Sequence, residues 1–137
     1  LEAILLALQQ LLEQVYYMNV AILGASNKEM RYANKAQKLL MEKGYSVFPI
    51  SRKGQDILGT TSVRSLNELE VPIDTVTVYV NPISLKGLVG DIESLKPRRV
   101  ILNPGTEDKE SEQRLSDTGI LVEKACTLVL LNTGQFG

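Results

Sequence analysis

Four short groups of residues carry the chemistry this sequence offers. Gly24-Ala25-Ser26-Asn27-Lys28 follows the apolar run Asn19 to Leu23, and Ser51-Arg52-Lys53 follows Ser46 to Ile50. Asn81-Pro82 and Asn103-Pro104-Gly105 follow two further runs, and no acid stands in any of the four. Small residues let backbone N–H groups come close to an anion. Where a helix follows, as the pattern from about Tyr32 to Lys43 predicts, its positive dipole end adds to them. A rim of this composition suits a phosphorylated ligand better than a metal ion, which calls for carboxylates or imidazoles.

Against the dinucleotide fingerprint G-x-G-x-x-G, the turn supplies only its first glycine. Ser26 and Glu29 stand where the second and third would be. An NAD site also places an acid at the end of the second strand to hold the ribose hydroxyls, and here Ser51-Arg52-Lys53 occupies that place. Cations there pair instead with a phosphate on the adenosine ribose, which NADP carries at the 2′ position and coenzyme A at the 3′ position. An arginine–phosphate contact is a charge-assisted hydrogen bond of about 1.5–3 kcal/mol. The plainer reading is that Arg52 and Lys53 are solvated loop charges.

Catalysis finds less support. The chain has no histidine and one cysteine, so a Ser-His-Asp triad, a His/Cys zinc site and an internal disulfide are all excluded. Cys126 lies in an apolar stretch without a base, which favours a buried, inert thiol over the sharper alternative, a mixed disulfide with the thiol of bound CoA. Ser26 reads as a hydrogen-bond donor to phosphate rather than a nucleophile. Lys28 and Arg31 are placed to clamp a pyrophosphate. Tyr32 fits either the buried stripe of its helix or a stacking surface for adenine.

The 137 residues, 44% hydrophobic and 23% charged, match one globular domain with no linker. Fifteen basic residues against sixteen acidic ones create no overall field, so neither nucleic acid nor a membrane surface is an expected partner. One cysteine fits a reducing cytoplasm. From Met18 onward, apolar runs and helical patterns alternate, the mark of a parallel sheet with helices on both faces. Strands are predicted at Asn19 to Leu23, Ser46 to Ile50, Thr75 to Val80, Arg99 to Leu102 and Ile120 to Val122. Helices are predicted from Tyr32 to Lys43, from Pro82 to Leu95 with Asn81 as cap, and, largely exposed, from Glu107 to Asp117. Ser65-Leu66-Asn67-Glu68 has capping-box spacing and predicts a short helix.

Residues 1–17 form a separate unit. Leu1, Leu5, Leu8, Leu12 and Val15 recur at helical spacing with only Glu2 and Glu13 charged, which predicts an amphipathic helix. It is too short to cross a bilayer and lacks the leader and cleavage pattern of a signal peptide. Dimerisation is its sharper reading. The alternatives are a helix covering an edge of its own domain, or an upstream extension, Met18 being a natural start for the fold.

Residues 18–137 form the main domain, and from about Met18 to Gln135 it resembles the CoA-binding domain family, small Rossmann-like proteins related to the N-terminal domain of the succinyl-CoA synthetase alpha subunit. The resemblance rests on the Gly24-Ala25-Ser26 turn, Lys43-Gly44-Tyr45-Ser46-Val47-Phe48-Pro49-Ile50 leading into a basic loop, Gly59, and Asp74-Thr75-Val76 opening the third strand. It implies a doubly wound, mainly parallel five-stranded α/β sheet, with the N-terminal helix as an addition. It also implies a site for coenzyme A or a CoA thioester built from Gly24 to Lys28, Ser51 to Lys53, Asn81, Pro82 and Asn103 to Gly105. The synthetase's phosphohistidine and acyl-transfer machinery lies outside this domain, so the resemblance implies binding, as in a sensor or carrier, without a reaction. The alternatives are an NADP-binding oxidoreductase fragment, which would lack a substrate domain, and an interaction protein with a vestigial nucleotide site.

Overall fold

A computed structural model describes all residues from Leu1 to Gly137. Helix α1 (Glu2–Tyr17) precedes β1 (Asn19–Leu23), α2 (Tyr32–Glu42) and β2 (Ser46–Ile50). A hairpin of β3 (Asp56–Ile57) and β4 (Thr60–Thr61) and one 3-10 turn (Leu66–Glu68) lead to β5 (Thr75–Val78). Then come α3 (Pro82–Leu95), β6 (Arg99–Leu102), α4 (Lys109–Asp117), β7 (Leu121–Lys124) and α5 (Thr127–Asn132).

Five strands form one sheet in the order β2-β1-β5-β6-β7, every pair parallel. The Rossmann-like α/β expectation is met. The chain leaves β1 toward one side to make β2 and returns to the other side for β5, so strand order reverses between β1 and β5. Ligands of such sheets bind outside the C-terminal strand ends at this reversal.

Alternation along the strands sorts the core into two layers. Val20, Ile22 and Ile101 face one side, where they pack with Ala33, Leu40, Leu131 and Phe136. Ala21, Leu23, Val76, Val78, Val100 and Leu102 face the other, against Leu85, Val89, Ile92 and Leu115. Burial of each such Leu, Ile or Val contributes about 1.5–3 kcal/mol. Leu115 and Ser111 are buried on α4, so that helix is less exposed than its weak pattern predicts. Its cap is Asp108, which accepts from the Ser111 amide at 3.0 Å; the hydroxyl and amide of Ser111 hold the Asp108 carboxyl below the usual range.

Two polar clasps tie the sheet's N-terminal end. Buried Arg99 donates from Nε to Thr75 Oγ1 at 3.1 Å and from Nη1 to the Phe136 carbonyl at 2.8 Å, with its guanidinium 4.5 Å from the Phe136 ring centre. Asp74 accepts from Arg98 Nε at 2.7 Å, and Arg98 lies over the ring of Tyr17.

At the outer edge, Val63 donates to the Pro49 carbonyl at 3.1 Å and accepts from the Ser51 amide at 2.9 Å. Within a strand, the N–H and C=O of one residue point the same way. Pro49 therefore turns its missing donor outward, the one placement a proline tolerates here.

The hairpin and α5 are not foreseen in the sequence. The hairpin turns on Leu58 and Gly59 with φ of 51° and 77°, a geometry normally signalled by Asn-Gly, and leucine hides it. Helix α5 lies inside the apolar run Ala125 to Leu131, where continuous hydrophobicity conceals the period. The third strand stops at Val78 and the last runs Leu121–Lys124, shifts of one or two residues from expectation.

Candidate functional site

A cleft of about 680 Å³ opens above the C-terminal ends of β1, β2 and β5, at the reversal of strand order. Gly24 shapes its floor. With φ of +91° it turns the chain out of β1, and a Cβ there would lie 3.0 Å from Val80 Cγ1 and 3.1 Å from both Tyr79 C and Val80 N. Only glycine allows that approach.

The turn's donors divide sharply. The amides of Gly24 and Ala25 both donate to the Ile50 carbonyl, at 3.2 and 2.9 Å, and the Lys28 amide donates to Ser26 Oγ at 3.2 Å. The N–H groups of Ser26 and Asn27 have no protein partner. Helix α2 begins seven residues after Ala25, at Tyr32. Its first turn has no acidic residue and its N-cap, Arg31, makes no side-chain cap. Ser26, Asn27, Tyr32 and Ala33 all line the cleft, so unpaired amides and an uncapped helix end meet in one place.

Charge there is of a single sign. Lys28, Arg31, Arg52, Lys53 and Arg64 line the cleft and no carboxylate does. None of the five is ion-paired; the chain's ion pairs engage Lys86, Arg98, Arg99, Arg114 and Lys124. On a chain with net charge −1, five unpaired cations around one concavity make a local field that attracts anions.

Of the residues proposed from the sequence, Gly24 to Lys28, Ser51 to Lys53, Asn81, Pro104 and Gly105 line this cleft. Asn81 also caps α3, accepting from the Ser84 amide at 2.8 Å. Pro82 and Asn103 do not line it. Pro82 opens the first turn of α3 beyond the wall that Asn81 forms. Asn103 is buried with every polar group of its side chain engaged: Nδ2 donates to Thr77 Oγ1 and the Val78 carbonyl, and Oδ1 accepts from the Thr127 amide. It is a clamp between β5, β6 and α5 rather than a ligand group. Gly105 donates its amide to Glu107 Oε2 at 2.9 Å, which places an acid beside a rim that reads as free of them.

Tyr32 is 68% exposed, and the buried face of α2 belongs to Ala33, Asn34, Ala36, Gln37 and Leu40. Of the two readings for Tyr32, the buried stripe is overturned. Cys126 is half-buried at the N-cap of α5 and does not line the cleft, so the expectation of a buried thiol is corrected.

Tyr79 and Arg64 went unnoticed in the sequence. Burial pushes the Tyr79 phenol up to about 12, against a smaller opposing influence of the Thr127 and Thr77 hydroxyls. Those hydroxyls engage one another at 2.8 Å, and the buried Tyr79 oxygen has no hydrogen-bond partner. Arg64 sits just before the capping box that was legible, and that box anchors it: Glu68 Oε2 accepts from the amides of Arg64 and Ser65 at 2.8 and 2.9 Å.

Known proteins share this arrangement of chain. A solved structure described as an uncharacterized protein is 42% identical, with a TM-score of 0.83, covering 88% of this chain and 98% of its own. A Thermus thermophilus structure is 30% identical with a TM-score of 0.80, covering 93% and 98%. The uncharacterized protein YneT of Bacillus subtilis (strain 168) is 26% identical over 100 residues, 73% of this chain and 74% of YneT. The CoA binding domain matches residues 18–132, from the residue before β1 to the end of α5. The chain therefore belongs to the CoA-binding domain family.

Proposed function

We propose that this chain binds coenzyme A or a CoA thioester in the cleft above β1, β2 and β5 and acts as a sensor or carrier rather than a catalyst. The observation that carries the reading is the cleft's five unpaired cations without a carboxylate, set around the free amides of Ser26 and Asn27. CoA brings a pyrophosphate and a ribose phosphate on one adenosine, and that charge matches two groups of cations. Lys28 and Arg31, just before the first turn of α2, suit the pyrophosphate. Arg52 and Lys53, one strand outward, suit the ribose phosphate. The exposed ring of Tyr32 suits the adenine face. Membership of the CoA-binding domain family supports the same ligand.

Calorimetric titration with CoA, dephospho-CoA and NADP tests this. CoA is expected to bind, and to bind more tightly than either of the others. Absence of binding by CoA removes the reading, and preference for NADP revives the oxidoreductase alternative.

We also propose that α1 is covered by a second copy of the chain. No residue of this helix is buried, and Ile4, Leu8 and Leu12 are 61%, 52% and 69% exposed. Leu1, Ile4, Leu8, Leu11 and Val15 repeat at the three-and-four spacing by which helices pair along a seam. No helix of the chain is long and apolar enough to cross a membrane. Light scattering is expected to find a dimer that becomes a monomer on deletion of residues 1–17; a monomeric full chain would refute the pairing. A cytoplasmic setting fits this reading.

A further inference from the structure

Among the cleft's cations, Arg64 is the one whose side chain packs against a glycine of the neighbouring loop. The chain returns alongside β2 at Val63, bridged to Ile50 on the outside of the sheet, and this places Arg64 beside the loop that carries Arg52 and Lys53. Its side chain lies across the backbone of Gly54. A Cβ built on Gly54 would come within 2.9 Å of Arg64 Nε and 3.3 Å of its Cγ, so the arginine side chain lies in the space that a side chain at position 54, where φ is +60°, would take.

Nearby charge does not draw the guanidinium away. Glu68 Oε2 accepts from both the Arg64 and Ser65 amides, and Arg64 forms no ion pair. Arg52, Lys53 and Arg64 are all exposed, and no side chain of the three makes a hydrogen bond within the chain; Arg64 differs in lying against Gly54. An arginine whose stem already rests on backbone loses less rotamer freedom on binding than a free one, and its planar fork presents two donors to a phosphate.

We propose that Arg64 is the specificity-determining residue for the phosphate on the adenosine ribose, with Arg52 and Lys53 as auxiliary charges. The proposal rests on the CoA reading above. Spacing favours it. Ser26 and Asn27 stand above β1, β2 comes next, and Val63-Arg64 runs outside β2, so Arg64 lies about two strand spacings, roughly 10 Å, from the proposed pyrophosphate seat. A single ribose separates the corresponding phosphates of CoA. The outermost cation therefore meets the phosphate that distinguishes CoA from dephospho-CoA.

Calorimetric titration of wild type, Arg64→Gln and Gly54→Ala with CoA and dephospho-CoA tests it, with melting curves to establish that each variant is folded. Loss of a charge-assisted contact predicts that Arg64→Gln binds CoA about tenfold or more weakly and dephospho-CoA unchanged. Gly54→Ala, which pushes the guanidinium off position 54, is expected to show the same selective loss while keeping the charge. Equal losses for both ligands, or none for CoA, overturn the role of Arg64 and leave CoA binding standing. A wild type that binds neither ligand overturns both.

Discussion

Replacing Asn103 with alanine is expected to cost about 3–4 kcal/mol and to lower the melting temperature by about 10–15 °C. The substitution removes two donated hydrogen bonds, to Thr77 Oγ1 at 2.8 Å and the Val78 carbonyl at 2.9 Å, and one accepted from the Thr127 amide at 2.9 Å. Thr77 keeps its partner in Thr127 Oγ1, but the Val78 carbonyl and the Thr127 amide are left without one. Unpaired buried groups of this kind cost about 1–3 kcal/mol each, a large share of the roughly 5–15 kcal/mol that holds a domain together. CoA affinity of the folded variant is expected to stay unchanged, because the amide faces inward. Scanning calorimetry and titration of Asn103→Ala separate the outcomes. A small thermal shift together with a large loss of affinity would return Asn103 to the ligand site.

Gly24→Val should produce the largest loss of binding of any single change. Its positive φ carries about 1–2 kcal/mol of strain for a residue with a Cβ, and the branched side chain adds a collision with the Tyr79–Val80 backbone, 3.1 Å from the Cβ position. Backbone cannot rotate aside as a side chain can, so the turn itself must shift and carry the Ser26 and Asn27 amides with it. Displacement of two donors from a phosphate predicts a loss of CoA affinity of about a hundredfold or more, in addition to lower stability. Gly59→Ala is the matched control. Its φ of +77° imposes similar strain, but nothing lies within 4 Å of the added Cβ, and the residue is at the hairpin tip. Affinity should survive that substitution. If the two variants bind CoA equally well, the close approach at Gly24 does not shape the site.

The sheet was legible because β1, β5 and β6 are short apolar or β-branched runs buried on both faces, while the edge strands β2 and β7 carry weaker versions of the same signal. Helices α2 and α3 were legible by period and by their ends: Gly44 follows α2 with φ of +88°, and Asn81-Pro82 opens α3. What escaped the sequence depends on contacts between distant segments. Arg64 has no local mark, and its significance appears only when Gly54, ten positions earlier, is brought beneath it. Asn103 sits at a strand end, where sequence reasoning looks for ligand contacts. Whether its amide faces the cleft or the interior is decided by Thr127, twenty-four residues on. The amides of Gly24 and Ala25 were expected to serve the ligand, and the Ile50 carbonyl of the neighbouring strand claims both.

The Val63 crossing and the outward-facing Pro49 also bear on how the molecule meets copies of itself. With one border of the sheet occupied by its own chain and lacking a donor, and the other ending in the short, charged strand Leu121–Lys124, neither margin offers a template for strand-by-strand growth. Fibrous stacking through the backbone is thereby discouraged, and self-association is left to side chains.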